Sequence, residues 1–165
     1  MTRGALVLTP RGLRFGARLM PCAIGRAGIT ASKREGDMAT PAGTLRITGC
    51  LYRPDRMARP VPWARPIGPR DIWSDDPADP LYNRPARAPR AFSHEALRRA
   101  DRLYDLILTT DWNASPPRPR HGSAIFLHRW RRPGFPTAGC IALAPADLLW
   151  LVRHIEPGTP LVVRG

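Results

Sequence analysis

Lysine is nearly absent: the chain of 165 residues carries Lys33 alone against 25 arginines. Its cationic surface is therefore built from planar, permanently charged forks suited to carboxylates and phosphates. The net charge is +13. Two readings of it stand side by side: GC-rich coding, which raises Arg, Pro, Gly and Ala together, and an acidic polymer as partner. Cysteine is also scarce. Cys22, Cys50 and Cys140 cannot all pair within one chain. No C-x-x-C or H-x-x-x-H spacing exists, which argues against a structural zinc site. No stretch reaches the roughly 18 apolar residues of a membrane span. The apolar run between Met1 and Pro10 is too short for a signal-peptide core, so no export signal is expected in the chain. No internal repeat or domain boundary appears, and residues 1–165 read as one domain.

Turn formers are abundant, with 20 prolines and 14 glycines. They favour short strands and long ordered loops over a helical bundle. Strands are expected at Ala5–Leu8, Leu13–Phe15, Leu19–Ile24, Thr44–Tyr52, Leu106–Thr110, Ala124–His128 and Leu161–Arg164. The segment Gly25–Gly43 reads as a polar loop. Residues 53–90 are rich in Arg, Pro and Asp, with Trp63, Trp73 and Tyr82 interspersed. Those aromatics predict an ordered loop packed on the body, because disordered segments are poor in them. Helices are predicted from His94 to Leu103, capped by Ser93, and from Pro145 to His154. The fold class is mainly β, a β-sandwich or distorted barrel with long loops and about two short helices.

The chemistry-bearing pair is Cys140 and His128. Cys140 follows Gly139, whose flexibility permits a sharp turn, and lies twelve positions after His128 at the end of an expected strand. A histidine can take a thiol proton, and the thiolate can attack a carbonyl. Backbone N–H groups of Ala138, Gly139 and Cys140 are candidate oxyanion donors. Arg129, Arg131 and Arg132 can hold a carboxylate, or form a solvated arginine cluster. The plain alternatives are an inert buried thiol at Cys140, as read for Cys22 and Cys50, and a core histidine at His128. His94 and His154 fall on the predicted helices, away from this pair. His121 is a second polar group at the site by proximity in sequence. A zinc site from His121, His128 and Cys140 matches no common spacing.

Gly122-Ser123-Ala124-Ile125-Phe126-Leu127-His128, followed by Pro136-Thr137-Ala138-Gly139-Cys140-Ile141-Ala142-Leu143, resembles the catalytic signature of bacterial L,D-transpeptidases. Upstream, Thr40-Pro41-Ala42-Gly43 is similar to that family's Thr-Pro-x-Gly element, which packs near its catalytic site. Three departures stand out. Ala138 replaces the usual histidine, Ala142 replaces the usual Arg or Asn, and the loop between His128 and Thr137 is short. They resemble a variant branch. It includes enzymes that link L-Ala at stem position 1 to diaminopimelate at position 3, and others that hydrolyse the stem. The resemblance implies Cys140 as nucleophile, His128 as base oriented by a backbone carbonyl, and Gly139 in the oxyanion turn. It implies peptidoglycan stem peptides as donor and acceptor, a Cys thioester, transfer to a diaminopimelate amine, and no metal or organic cofactor. Substrate contacts are expected at Thr137, Ala138, Arg129, Ser123, Tyr82, Asn83 and Trp73. Asp75, Asp76, Asp105 and Asp111 are candidates for shaping the pocket. A periplasmic or cell-envelope location is implied, with a monomer as the expected state. Two alternatives remain open at this point: a cysteine peptidase on the same scaffold, and a basic nucleic-acid-binding protein, although no recognition motif for nucleic acid appears.

Overall fold

The computed structural model describes residues 4–165. Met1 to Arg3, the opening of the N-terminal run, lie outside the described residues. The strands are β1 Leu6–Thr9, β2 Gly12–Phe15, β3 Arg18–Met20, β4 Cys22–Ala23, β5 Ile29–Thr30, β6 Thr40–Pro41, β7 Gly43–Tyr52 and β8 Ala64–Pro66. They continue as β9 Asp71–Ser74, β10 Pro85–Arg87, β11 His94–Ala96, β12 Leu106–Thr110, β13 Leu127–Arg129 and β14 Ile141–Leu143. Helix α1, Pro145–His154, and β15, Pro160–Val163, complete the chain.

The main sheet runs β3-β2-β1-β15-β7-β12-β13-β14-β4, with β8 pairing on β7. Its two ends, β3 and β4, are consecutive in the chain and separated by Pro21, so the sheet curls until it is nearly closed. Proline has no N–H to give a ladder, and this splits the expected strand Leu19–Ile24 in two. The long strand β7 alternates in burial, turning Leu45, Ile47, Cys50 and Tyr52 inward. These side chains join Leu6, Leu108, Leu127, Leu143 and Leu161 in the principal core. Helix α1 closes that core with Leu148, Leu151 and Val152. Pro145 opens it, Asp147 sits in its first turn, and Arg153 and His154 sit in its last, each where the helix dipole favours it.

The structure corrects the predicted helix from His94 to Leu103. His94–Ala96 pair as β11 with β9, and β10 pairs on the other side of β9 to make a small separate sheet. The Ser93 N–H goes to Asp76 Oδ2 at 3.2 Å rather than capping a helix, and the Leu97 N–H goes to the Asp71 carbonyl at 3.1 Å. Cross-strand bonds have captured a segment whose apolar spacing also suits a helix. One α-helix is therefore present among the described residues, not two. The expected strand Ala124–His128 begins only at Leu127, because Ala124 has φ 52° and breaks the extended run. Residues 53–90 are ordered and carry β8, β9 and β10, with Arg53 and Arg56 tying them to the Ala100–Asp105 turn. The loop Gly25–Gly43 holds the short parallel pair β5 and β6. Among the described residues, no helix is long and apolar enough to cross a membrane.

A second, smaller core lies between the main sheet and the small one. It gathers Ile67, Leu97, Tyr104, Ile107, Ala124 and Phe126, with Trp73 and Cys140 packed against it. The fold thus places the cysteine at a junction between two layers. Leu151 of α1 is fully buried in the principal core. Leu151→Ala is expected to lower stability by about 2–5 kcal/mol, read as a lower urea midpoint at unchanged slope.

Candidate active site

The turn that carries Cys140 is clamped from three sides. The Thr137 N–H donates to the Ile24 carbonyl at 2.9 Å, and the Arg26 N–H donates to the Thr137 carbonyl at 2.9 Å. The Thr40 hydroxyl, fully buried, accepts the Gly25 N–H at 2.9 Å and donates to the Gly139 carbonyl at 2.8 Å. Within the turn, Thr137 Oγ1 accepts the Gly139 N–H at 3.1 Å and donates to the Cys140 carbonyl at 2.6 Å. Gly139 has φ 142°, and a Cβ there would meet the Ala39 carbonyl oxygen at 2.8 Å. Only glycine satisfies both conditions. The Thr-Pro-x-Gly element therefore does pack against the cysteine turn.

The Cys140 thiol donates to the Ala124 carbonyl at 3.1 Å and accepts the Phe126 N–H at 3.4 Å. Ala124 holds its left-handed backbone at a cost of about 1–2 kcal/mol for a residue with a Cβ. Asn83 supports it by accepting the Ala124 N–H at 3.0 Å. Parallel pairing of β13 and β14 sets Leu127 beside Ile141 and His128 beside Ala142. Tyr104 makes edge contacts with both Phe126 and His128, at 6.1 and 5.4 Å between ring centroids, so both side chains face the same side. His128 Nδ1 lies 2.7 Å from the Arg129 carbonyl. A carbonyl only accepts, so Nδ1 carries the proton and Nε2 is left as the basic nitrogen.

Cys140 and His128 line one cleft of about 250 Å³. Thr137, Ala138, Met38, Glu95, Arg99 and Arg131 line it too. Burial dominates the electrostatics of the pair. It pushes the Cys140 thiol up to about 12, with the nearby Glu95 charge adding to the rise. It pushes His128 down to about 4 against the partly offsetting bond to the Arg129 carbonyl. The resting state is a neutral thiol beside a neutral imidazole. An arrangement with a half-buried thiol and an imidazole whose Nε2 is left as the basic nitrogen, in one cleft, suits nucleophilic acyl transfer.

Of the remaining expected contacts, Ser123, Tyr82, Asn83 and Trp73 do not line the cleft. They form a buried support beneath Ala124. Trp73 Nε1 donates to Asn83 Oδ1 at 3.0 Å and its ring meets Phe126 edge-on at 4.9 Å. Asn83 Nδ2 donates to the Trp112 and Asn113 carbonyls. The Tyr82 hydroxyl and Ser123 Oγ both donate to Glu35. Arg129 contributes its carbonyl, while Arg131 is the arginine of that run on the cleft. His121 lies on an exposed loop, where its carbonyl accepts Trp112 Nε1 at 3.0 Å. Among the described residues, no group of three or more His, Cys, Asp or Glu side chains could hold a metal ion. Glu95 and Tyr104 were not anticipated, because the helical spacing of Leu97, Ala100 and Leu103 pointed that segment elsewhere. The aromatic at 104 amid arginines and acids was the signal available.

Comparison with known proteins fits this geometry. The L,D-transpeptidase catalytic domain (YkuD) profile matches residues 6–163, so the chain belongs to that family. Its members act on peptidoglycan stem peptides. No curated protein matches the chain. Among solved structures, an L,D-transpeptidase from Mycobacterium smegmatis is similar, with 13% identity and a TM-score of 0.48 over 99% of this chain. The chain spans 59% of that protein.

The raised thiol value has a direct consequence. At pH 8 the thiolate fraction of Cys140 falls on the order of 10³-fold below that of an unburied cysteine. Iodoacetamide labelling of Cys140 in the native protein, followed by peptide mass spectrometry, is expected to be slower by a similar factor. It is expected to rise about tenfold per pH unit above neutrality. Labelling as fast as in the urea-unfolded chain would contradict the burial of the sulfur.

Proposed function

We propose that this member of the L,D-transpeptidase family acts, as one catalytic domain over residues 1–165, through a thioester on Cys140. The observation that carries the reading is the shared cleft, where the thiol stands on a clamped glycine turn and the imidazole is fixed by the Arg129 carbonyl. His128 Nε2 takes the thiol proton as the sulfur attacks a carbonyl of the donor stem. Attack requires the thiol to leave its bond to the Ala124 carbonyl, so the substrate competes for the sulfur with the protein backbone. The Gly139 N–H is spent on Thr137 Oγ1. The oxyanion therefore falls to the N–H groups of Ala138 and Cys140, at the cleft side of the turn. His128 returns its proton to the leaving amine. A diaminopimelate amine of a second stem then attacks the thioester carbonyl, forms the amide and releases the thiol.

Thr137 and Ala138 contact the donor, and Arg131 supplies a cation for a substrate carboxylate. The small Ala138 and Ala142 in place of bulkier or charged residues favour a donor cut near L-Ala, hence 1,3-type crosslinks. The substrate places the enzyme in the periplasm or cell envelope.

Purified sacculi incubated with the protein and with Cys140→Ala, then digested and analysed by mass spectrometry, test the reading. New muropeptide dimers are expected only with the intact cysteine, with fragmentation locating the link at L-Ala. Shortened monomers without dimers would instead make the protein a hydrolase. Identical profiles for both proteins would refute the nucleophile.

A further inference from the structure

In a chain of net charge +13, many carboxylates meet a cation. Asp55, Asp79, Asp101 and Asp105 each sit against an arginine. Glu95, in the cleft that holds Cys140, does not. Glu95 lines the cleft from β11, and its Oε2 accepts the Tyr104 hydroxyl. Among the described residues, no arginine or lysine forms an ion pair with it. Arg99, on the same cleft, acts on it only at a distance: its guanidinium is bonded at both Nε and Nη2 to Asp101, at 2.9 and 2.7 Å.

A second, independent feature lies behind it. Asp75 follows β9 directly, and its N–H donates to the Ser93 carbonyl at 3.3 Å, two residues before Glu95. Its Oδ1 is buried and has no hydrogen-bond partner. A buried carboxylate oxygen without a donor is costly and calls for an explanation in the function of the site. Burial, partly offset by the Tyr104 hydrogen bond and the Arg99 charge and helped by the Asp75 charge, pushes the Glu95 carboxyl above its ordinary value, which eases acceptance of a proton there. The cleft therefore holds a carboxylate that forms no ion pair among the described residues, close enough for its charge to act on the Cys140 sulfur.

We propose that Glu95, backed by Asp75, binds the protonated amine of the acceptor and so selects an aliphatic ammonium over water as the nucleophile that resolves the thioester. This rests on the reading of Cys140 as nucleophile. Arg131, across the same cleft, matches a carboxylate on the carbon that bears the amine. The acceptor is then an amino-acid head carrying both charges, as at the side-chain end of diaminopimelate. The ammonium gives one proton to Glu95. As its nitrogen adds to the thioester carbonyl, a second proton passes to His128. The C–N bond forms, the C–S bond breaks, and His128 returns its proton to the Cys140 sulfur. Glu95 then loses its proton to solvent. Water is neutral and gains nothing from this wall.

The test measures partition from one intermediate. The acyl-enzyme is formed from a stem-peptide donor, detected on Cys140 by intact-protein mass spectrometry, and challenged with free diaminopimelate. The transfer and hydrolysis products are then quantified. In Glu95→Gln, which keeps an acceptor for Tyr104, the diaminopimelate concentration giving equal transfer and hydrolysis is expected to rise about tenfold or more, the loss of one charge-assisted contact. Asp75→Asn is expected to move it in the same direction by a smaller factor, and decides the matter if Glu95→Gln does not fold. An unchanged partition in the folded variant overturns the assignment of Glu95. A wild-type protein that forms no adduct on Cys140 overturns the thioester itself, and the assignment with it.

Discussion

The hydroxyl of Thr40 holds the site together. It accepts from Gly25 and donates to Gly139, so one buried side chain joins the loop before β7 to the turn before β14. Those segments are 99 residues apart in sequence, and nothing local would keep them in register. The approach is close enough that Gly139 has no room for a Cβ beside the Ala39 carbonyl, and Gly25 has none beside the Met38 carbonyl. Two glycines and a threonine are therefore demanded by the same contact. From it follows the direction of the Cys140 thiol, and from β13 pairing alongside follows the position of His128.

The second constraint is dielectric. His128 is buried and Cys140 half-buried, and loss of water disfavours the charged form of each. A thiolate beside an imidazolium would need the thiol value to lie below that of the imidazole, and burial drives the two apart. On the proposed thioester reading, proton transfer then accompanies attack and does not precede it. Such a site keeps its thiol unreactive until a substrate fills the cleft and replaces water with its own groups. The same enclosure makes each unmatched charge on the wall count for more than it would in solvent.

Much of this was legible in the sequence. Cys140 after a glycine, His128 at the end of an apolar run, the Thr40-Pro41 element and helix α1 are each marked by local residue type. The nearly closed sheet followed from short, turn-bounded strands. What the chain did not reveal is which way polar side chains turn. Trp73, Tyr82, Asn83 and Ser123 read as substrate contacts and instead brace Ala124 from within: Trp73 bonds Asn83, Asn83 bonds the Trp112 and Asn113 carbonyls, and Tyr82 and Ser123 bond Glu35. Glu95 was hidden for a different reason. The apolar spacing of residues 97, 100 and 103 suits a helix, and only pairing with β9 makes it a strand that delivers Glu95 to the cleft.

The central claim is that His128 is the base and rests neutral beside a neutral thiol. The pH dependence of kcat/KM for transpeptidation tests it most directly, since it reports the essential base of the free enzyme. The burial of His128 places its limb near pH 4, well below the ordinary histidine range. A limb near the ordinary histidine value of 6.5, or a bell centred on neutrality, would mean that the pair ionises in the resting enzyme and would contradict this account.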